Sequence, residues 1–287
     1  MNKYQAFVSS VDAGSLTKAA DELNITQSAV SHSIAALEEE LGFPVIIRNK
    51  GGVKLTSEGK KILPEIRKIL KSIEQMNQTA SSIRGLESGT VRIGAFTSVA
   101  VHWLPAILKA FQADYPNVEI KMLNGDYHDT EQWLKDGSVD LGFISVPTKF
   151  EGEVITLYED PLLAILPEDS KYASYPKFPV SECATEPFIS ILESSDHDAR
   201  QALSKANVKP NVRFYTKDDY AVIAMVEQGL GMSIMPELLL KDRSDKLIAL
   251  PLQPESKRTI GLAIASSGPA TRRFAQYVID YVKSSCQ

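Results

Sequence analysis

Between Ser15 and Gly42 the chain spells two short amphipathic helices, and that pair leaves the first sixty residues little choice of fold. In SLTKAADELN the apolar positions Leu16, Ala19, Ala20 and Leu23 recur at i, i+3, i+4 and i+7, the stripe of a helix with one buried face. Ala19 and Ala20 are small enough to let another helix approach closely, and Ser15 suits the N-cap. After the break NIT, Thr26 is placed to cap a further helix, TQSAVSHSIAALEEELG, whose buried face reads Val30, Ile34, Leu37 and Leu41. An earlier helix carries Phe7, Val8 and Val11 and stops at Gly14.

The helix that starts at Thr26 is lopsided. At about 100° per residue, Ser28, His32 and Ala35 fall opposite the buried stripe, with Ser31 beside them. These side chains are short and several bond hydrogen, while the helix N-terminus offers free N–H groups that favour phosphate. Glu38, Glu39 and Glu40 would repel phosphate, so this end is expected to stay in water. A helix entering a major groove N-terminus first accounts for the asymmetry, and that is helix-turn-helix geometry. The plainer reading is a helical hairpin with a solvated acidic end, and periodicity alone leaves the two about even. The next segment tips the balance. VIIRNKGGVKLT reads as strand, Gly-Gly turn, strand, with Arg48, Lys50 and Lys54 around the turn, a basic wing placed beside the helix pair.

Phe7, GSLTKAADELNITQSAVSHSIAALEEELG, Arg48 and LTSEG together resemble the N-terminal winged domain of LysR-type transcriptional regulators over about sixty residues. The resemblance implies that Gln27, Ser28, Ser31 and His32 lie on the DNA-reading face, with Arg48 in the wing region. Three positions depart from the family pattern. Leu16 replaces the usual Phe, VIIR replaces Leu-Phe-x-Arg, and Glu58 stands where Ala is usual. The first two are apolar exchanges a core tolerates, and Glu58 falls in a first helical turn, where a carboxylate is favoured.

Charge supports a local rather than a global DNA interaction. The formal net charge is −5, yet residues 1–87 hold 11 Lys/Arg against 10 Asp/Glu, leaving 20 against 26 for the remainder. A phosphate backbone responds to local charge, here the cations of the wing. No apolar run approaches the ~20 residues of a membrane span. The N-terminus has no signal-peptide core. Cys183 and Cys286 form neither a disulfide framework nor a metal-ligand spacing. A cytoplasmic address is expected, with no membrane partner, no cofactor and no metal.

From Ser57 onward Ile62, Ile66, Ile69, Ile73, Met76, Ala80 and Ile83 alternate in steps of four and three, a heptad seam. Such a stripe is narrower than a globular helix normally buries. It predicts dimerisation through Ile62, Ile66, Ile69, Ile73, Met76 and Ile83, with Pro64 bending the helix. A homodimer, and a tetramer as a dimer of dimers, is the expected assembly on duplex DNA. The expected organisation is 1–57 winged helix-turn-helix, 58–88 linker helix and hinge, and 89–287 a two-lobed effector domain.

Beyond residue 89 strands and helices alternate: TVRIGAF, a helix over Val99–Phe111, VEIKML, TEQWLKDG, DLGFIS. That order predicts an α/β unit with a mainly parallel sheet. PFISIL, a helix from Asp196, VRFYT, a helix through Ala221–Glu227 and GMSIMP predict a second lobe. TIGLAIA and the last helix return to the first. VEQGLGMSIMP resembles the effector-binding domain of the same family, built like type II periplasmic binding proteins. That resemblance places FTSVA, LNGD, ISVP and ESSDHD around a cleft. Thr97, Ser98, Val99, Asn124, Ser145, Ser195 and Asp196 are therefore the expected effector contacts. For any one of these serines, plain N-capping is the safer reading. Because helix N-termini favour anions and the cleft loops show no Arg, a small anionic effector held mainly by hydrogen bonds is expected.

Other signals stay at background. GLGMSIM lacks the spacing of a dinucleotide fingerprint, and no GxxxxGK[ST] occurs. His128, Asp129 and Glu131 read as a solvated helix start rather than a metal cluster. Met225, Met232 and Met235 read as core. No Ser/His/Asp grouping supports an enzyme. The runner-up function, a small-molecule binding or transport protein with an incidental N-terminal hairpin, fits poorly with the basic wing.

Overall fold

The structure is a computed structural model that describes residues 3–49, 52–83, 88–191, 197–241 and 246–285. The chain divides into two compact units, one running Met1–Gly89 and the other taking most of the remaining residues.

The first unit packs α1 (Lys3–Asp12), α2 (Leu16–Glu22) and α3 (Gln27–Leu41) against a hairpin of β1 (Ile46–Asn49) and β2 (Gly52–Leu55). The long α4 (Ser57–Ile83) comes next, with Pro64 inside it. Both expected caps form: the Ser15 hydroxyl accepts from Lys18 N–H, and the Thr26 hydroxyl from Ala29 N–H at 3.2 Å. Val30, Ile34 and Leu37 are fully buried among Phe7, Ala19, Ala20 and Val45. Each large apolar side chain buried this way contributes about 1.5–3 kcal/mol, which fixes the rotation of α3. The wing's tight start needs glycine. Gly52 sits at φ +109°, and a Cβ there would lie 2.4 Å from the Gly14 carbonyl oxygen. Thr56 ties hairpin to helix, donating to the Pro44 carbonyl and accepting from Gly59 N–H at 2.8 Å.

The second unit begins with β3 (Gly89–Ala95), α5 (Thr97–His102), α6 (Leu104–Asp114), β4 (Val118–Asn124), α7 (Tyr127–Asp136) and β5 (Leu141–Val146). β6 (Glu153–Pro167) then runs out of the first lobe. Next come β7 (Phe178–Pro179), β8 (Pro187–Ile191), α8 (His197–Lys205), β9 (Asn211–Thr216), α9 (Asp219–Glu227), β10 (Ser233–Pro236) and α10 (Glu237–Leu240). β11 (Leu247–Gln253), β12 (Lys257–Ile264) and α11 (Pro269–Ser285) close the chain.

Two expectations need correcting. The sheet is mixed, ordered β4-β3-β5-β12-β6-β11-β7 with β10 also on β6. β3 pairs β5 in parallel, but β12 runs antiparallel to both β5 and β6, and β10 and β11 antiparallel to β6. The cause is β6 itself, one 15-residue strand shared by both lobes. Residues 153–161 pair with β12, and residues 162–167 with β10 and β11. The expected single helix after the first strand is also two, α5 and α6, meeting at the fully buried Trp103.

Separate cores fill the lobes. The first gathers Val91, Ile93, Trp103, Phe111, Phe143, Leu262 and Phe274. In the second lobe Phe178, Phe188, Met232 and Ile234 form one cluster, and Ile189, Val222, Ile223 and Met235 another. Met225 packs against the latter, so the three methionines lie at the core as their spacing suggests.

Candidate DNA-reading face and interlobe cavity

On α3, Gln27, Ser28, His32 and Ala35 are exposed and Ser31 is half-buried; Ser28, His32 and Ala35 lie opposite the sealed stripe, with Ser31 beside them. Ser28 Oγ lies 2.9 Å from Thr26 Oγ1, which steadies the first turn. The Arg48 guanidinium donates to Ser31 Oγ at 2.8 Å and so brings the wing's cation onto the same face. Lys54 is exposed on β2, opposite Ile47. Lys50 lies outside the described residues.

The acidic end of α3 is not simply left in water. Glu38 accepts from Val45 N–H at 2.8 Å and Ile46 N–H at 3.3 Å, and Glu40 pairs with Lys3 and accepts from the Tyr4 hydroxyl. These two carboxylates thus also satisfy the chain's entry into β1 and hold the start of α1, a tertiary use that helical periodicity does not reveal.

The seam on α4 is shorter than its spacing suggests. Ile66 is buried in the core of its own domain and Ile62 packs against that core. Those two are therefore taken by the winged fold. Ile69, Ile73, Met76 and Ile83 are exposed.

In the second unit a cavity of about 580 Å³ opens between the lobes. It is bounded by the starts of α5, α7, α8 and α9, the end of β10 and the side chain of Arg258 on β12. Arg258 stands where the chain returns from the second lobe, in register with Asp160 at the point where β6 leaves the first. The guanidinium is 95% buried. Its Nε and Nη2 donate to Asp160 Oδ2 at 2.8 and 2.6 Å, and Nη2 also donates to Ser98 Oγ at 2.7 Å. Nη1 donates to the Tyr127 hydroxyl at 2.6 Å and lies 3.6 Å from Asp198 Oδ2. Asp160 Oδ1 accepts from Leu238 N–H at 2.9 Å, which anchors α10. Burial pushes the Asp160 carboxyl up, while Arg258 and the Leu238 amide pull it back. Removing one member of such a buried pair costs roughly 3–5 kcal/mol, so the two short bonds hold Arg258 to Asp160.

From the second lobe two carboxylates reach across. The Tyr127 hydroxyl donates to Asp198 Oδ2 at 2.6 Å, and Asp219 lines the cavity together with Thr97. Burial above all keeps the Tyr127 phenol protonated, far above its ordinary range; Arg258 opposes this and Asp198 reinforces it. Burial likewise raises the Asp219 carboxyl, with Thr97 and then Arg258 acting the other way.

Of the expected effector contacts, Thr97, Ser98 and Asn124 line the cavity. Val99 does not, because it points into the first-lobe core and is fully buried. Ser145 does not line it either; it pairs with Ile260 along the β5–β12 ladder. Ser195 and Asp196 lie outside the described residues. An arginine, Arg258, also lines the cavity, and it comes from the strand β12 rather than from a cleft loop. Sequence reasoning misses Arg258 because it comes from ESKRTIG, far in sequence from any cleft loop. Asp219 escapes it too, although KDDYAV carries the same signal as FTSVA, a strand end feeding a helix.

Two family models match the chain. The model of the LysR substrate binding domain matches residues 84–283, and that of the bacterial regulatory helix-turn-helix protein, lysR family, matches residues 1–60. The chain is 32% identical over 269 residues to the uncharacterized HTH-type transcriptional regulator YvbU of Bacillus subtilis (strain 168), covering 93% of this chain and 92% of that one. Full-length CbnR complexed with its target DNA superposes with a TM-score of 0.63 at 18% identity, over 96% of this chain and 97% of that one. The effector binding domain of QuiR in complex with shikimate gives 0.62 at 21% identity, over 69% of this chain and 99% of that one.

Proposed function

The chain belongs to the LysR family of DNA-binding transcriptional regulators, which are not enzymes, and on that premise we propose that it reads an operator through α3 and the wing, as a homodimer joined along α4, under the control of a small molecule held between the lobes. Residues 1–57 serve as the reading domain, 58–88 as the dimerising linker and 89–287 as the effector domain. The observation that carries the DNA reading is the exposed row Gln27, Ser28, Ser31 and His32 above a sealed stripe, with Arg48 hydrogen-bonded onto it. Ser28 and His32 address base edges, and Arg48, Lys50 and Lys54 address phosphate. CbnR, solved with target DNA, lends the mode of binding.

The regulatory half rests on the cavity, whose volume is in the range of small-ligand pockets. Asn124, Ser98 and Thr97 border it from the first lobe, and Asp198 and Asp219 from the second. An anionic effector is the reading that Thr97, Ser98 and Asn124 support, since all three line the cavity and Ser98 Oγ, which accepts from Arg258, keeps its own proton to donate. An effector that favours one arrangement of the lobes shifts the equilibrium between arrangements of the reading domains.

The test is selection of duplexes from a random library by the full-length protein, followed by anisotropy titration at fixed salt. A selected duplex is expected to bind at least ~10³-fold more tightly than its scrambled counterpart. Equal affinities would refute sequence reading.

A further inference from the structure

Resting on the reading that the interlobe cavity seats the effector, we propose that the protein carries its own latch across that cavity, in which Asp198 of the second lobe holds Tyr127 of the first. Each half of the contact is fixed by its own lobe. Behind Tyr127, Arg258 is bound to Asp160 by hydrogen bonds of 2.8 and 2.6 Å and donates to the Tyr127 hydroxyl at 2.6 Å. Phe96 backs both, meeting the Tyr127 ring edge to face at 4.9 Å and lying 4.9 Å from the Arg258 guanidinium. On the other side, Asp198 sits in the first turn of α8, whose Ala199, Ala202 and Leu203 are buried with Phe188 and Met232. The carboxylate therefore moves with its lobe.

Tyr127 is the joint. Its hydroxyl accepts from Arg258 and donates to Asp198 Oδ2 at 2.6 Å, and Arg258 Nη1 stands 3.6 Å from the same oxygen. A guanidinium behind the hydroxyl polarises it, and the carboxylate in front makes the bond charge-assisted. Its place gives the latch leverage. β6 and β12 cross between the lobes side by side, and Asp160 and Arg258 are cross-strand partners at that crossing. A rotation about the crossing leaves this pair together, because both residues belong to the strands that form the hinge. It carries Asp198, which stands on α8 outside those strands, away from Tyr127. Once parted, Asp198 regains water and Tyr127 keeps Arg258, so the two arrangements stay close in free energy. An effector between the lobes then acts on an equilibrium that this bond biases toward the joined arrangement.

The experiment is hydrogen–deuterium exchange of the full-length protein, read by mass spectrometry, for Tyr127→Phe, Asp198→Ala and the two combined. Each single variant is read in the helix of the opposite lobe, α8 for Tyr127→Phe and α7 for Asp198→Ala, so that a merely local loosening does not count. Exchange at those helix starts is expected to rise about tenfold, the factor that corresponds to losing a hydrogen bond to a charged group. Peptides of β3 and β8 should exchange as in wild type, which marks an intact fold. Because the two side chains act through one bond, the double variant should exchange no faster than the faster single one. Additive effects, or unchanged exchange across the cleft, would overturn the latch. If Tyr127→Phe disturbs β3 or β8, Asp198→Ala decides alone by its effect on α7. Faster exchange with unaltered affinity for a selected duplex would leave the latch standing and refute the reading that the lobes control DNA binding.

Discussion

His32 stands exposed on α3 one turn beyond Ser28, whereas Lys54 stands exposed on the wing strand β2. The two therefore fail differently. His32→Ala is expected to cost ~1–3 kcal/mol of discrimination at one base position while leaving non-specific binding unchanged. Lys54→Ala should weaken binding to every duplex and lower the slope of log affinity against log salt by about 1. Anisotropy titrations over a salt series separate the two outcomes. In the cleft the telling residue is Asp219, whose carboxyl burial raises above its usual range. A raised carboxylate holds its proton more tightly in the folded state than in the unfolded one. Its stabilising contribution is thus present at low pH and lost as pH rises through the folded value. Asp219→Asn removes that dependence. The melting temperature of the variant should match wild type at low pH and move above it across the range where the wild-type carboxyl, raised by burial, gives up its proton in the fold. A constant difference across that range would mean that Asp219 ionises in the fold as readily as in the unfolded chain.

At the level of elements, α4 does two jobs along its length. Its first turns complete the winged core through Leu63 and Ile66. Its later turns present Ile69, Ile73 and Met76, exposed at helical spacing. An apolar stripe of that kind is stable in water when a second helix lies along it. Ile69→Glu with Ile73→Glu would place two unpaired carboxylates in such a seam, at a cost of several kcal/mol per buried charge. A fragment of residues 1–89 carrying both changes should sediment as a monomer in analytical ultracentrifugation, and the unchanged fragment is expected to sediment as a dimer. An unaltered dimer mass would move the interface away from this face. Because Ile62 and Ile66 are committed to the winged core, changing them should instead unfold the reading domain.

For the whole molecule, a dimer of reading heads imposes a spacing on its operator. Half-sites in register lie about one helical turn, 10–10.5 bp, apart. Inserting about 5 bp between them should weaken full-length binding by roughly 10²-fold or more, the loss expected when the second contact is no longer available. Inserting a full turn should restore part of it, and gel-shift titration distinguishes the two. The exposed face of α3 was legible in the sequence because its caps and its buried stripe are local relations, whereas the bond that brings Arg48 to Ser31 is not. Caps act over three residues, the buried stripe repeats over seven, and the turn glycines sit beside the strands they join. The same holds for the alternation of strands and helices that identifies two lobes. The mixed sheet, the second use of Glu38 and Glu40, and the burial of Ile66 depend on which distant elements meet. So does the cavity. Arg258 and Asp160 are 98 positions apart, and Ser98 and Arg258 160 apart. They come together because β6 crosses between the lobes and β12 returns beside it. Periodicity ranks residues by their neighbours in the chain. Which side chains line the cavity was decided by pairings that only the folded chain makes.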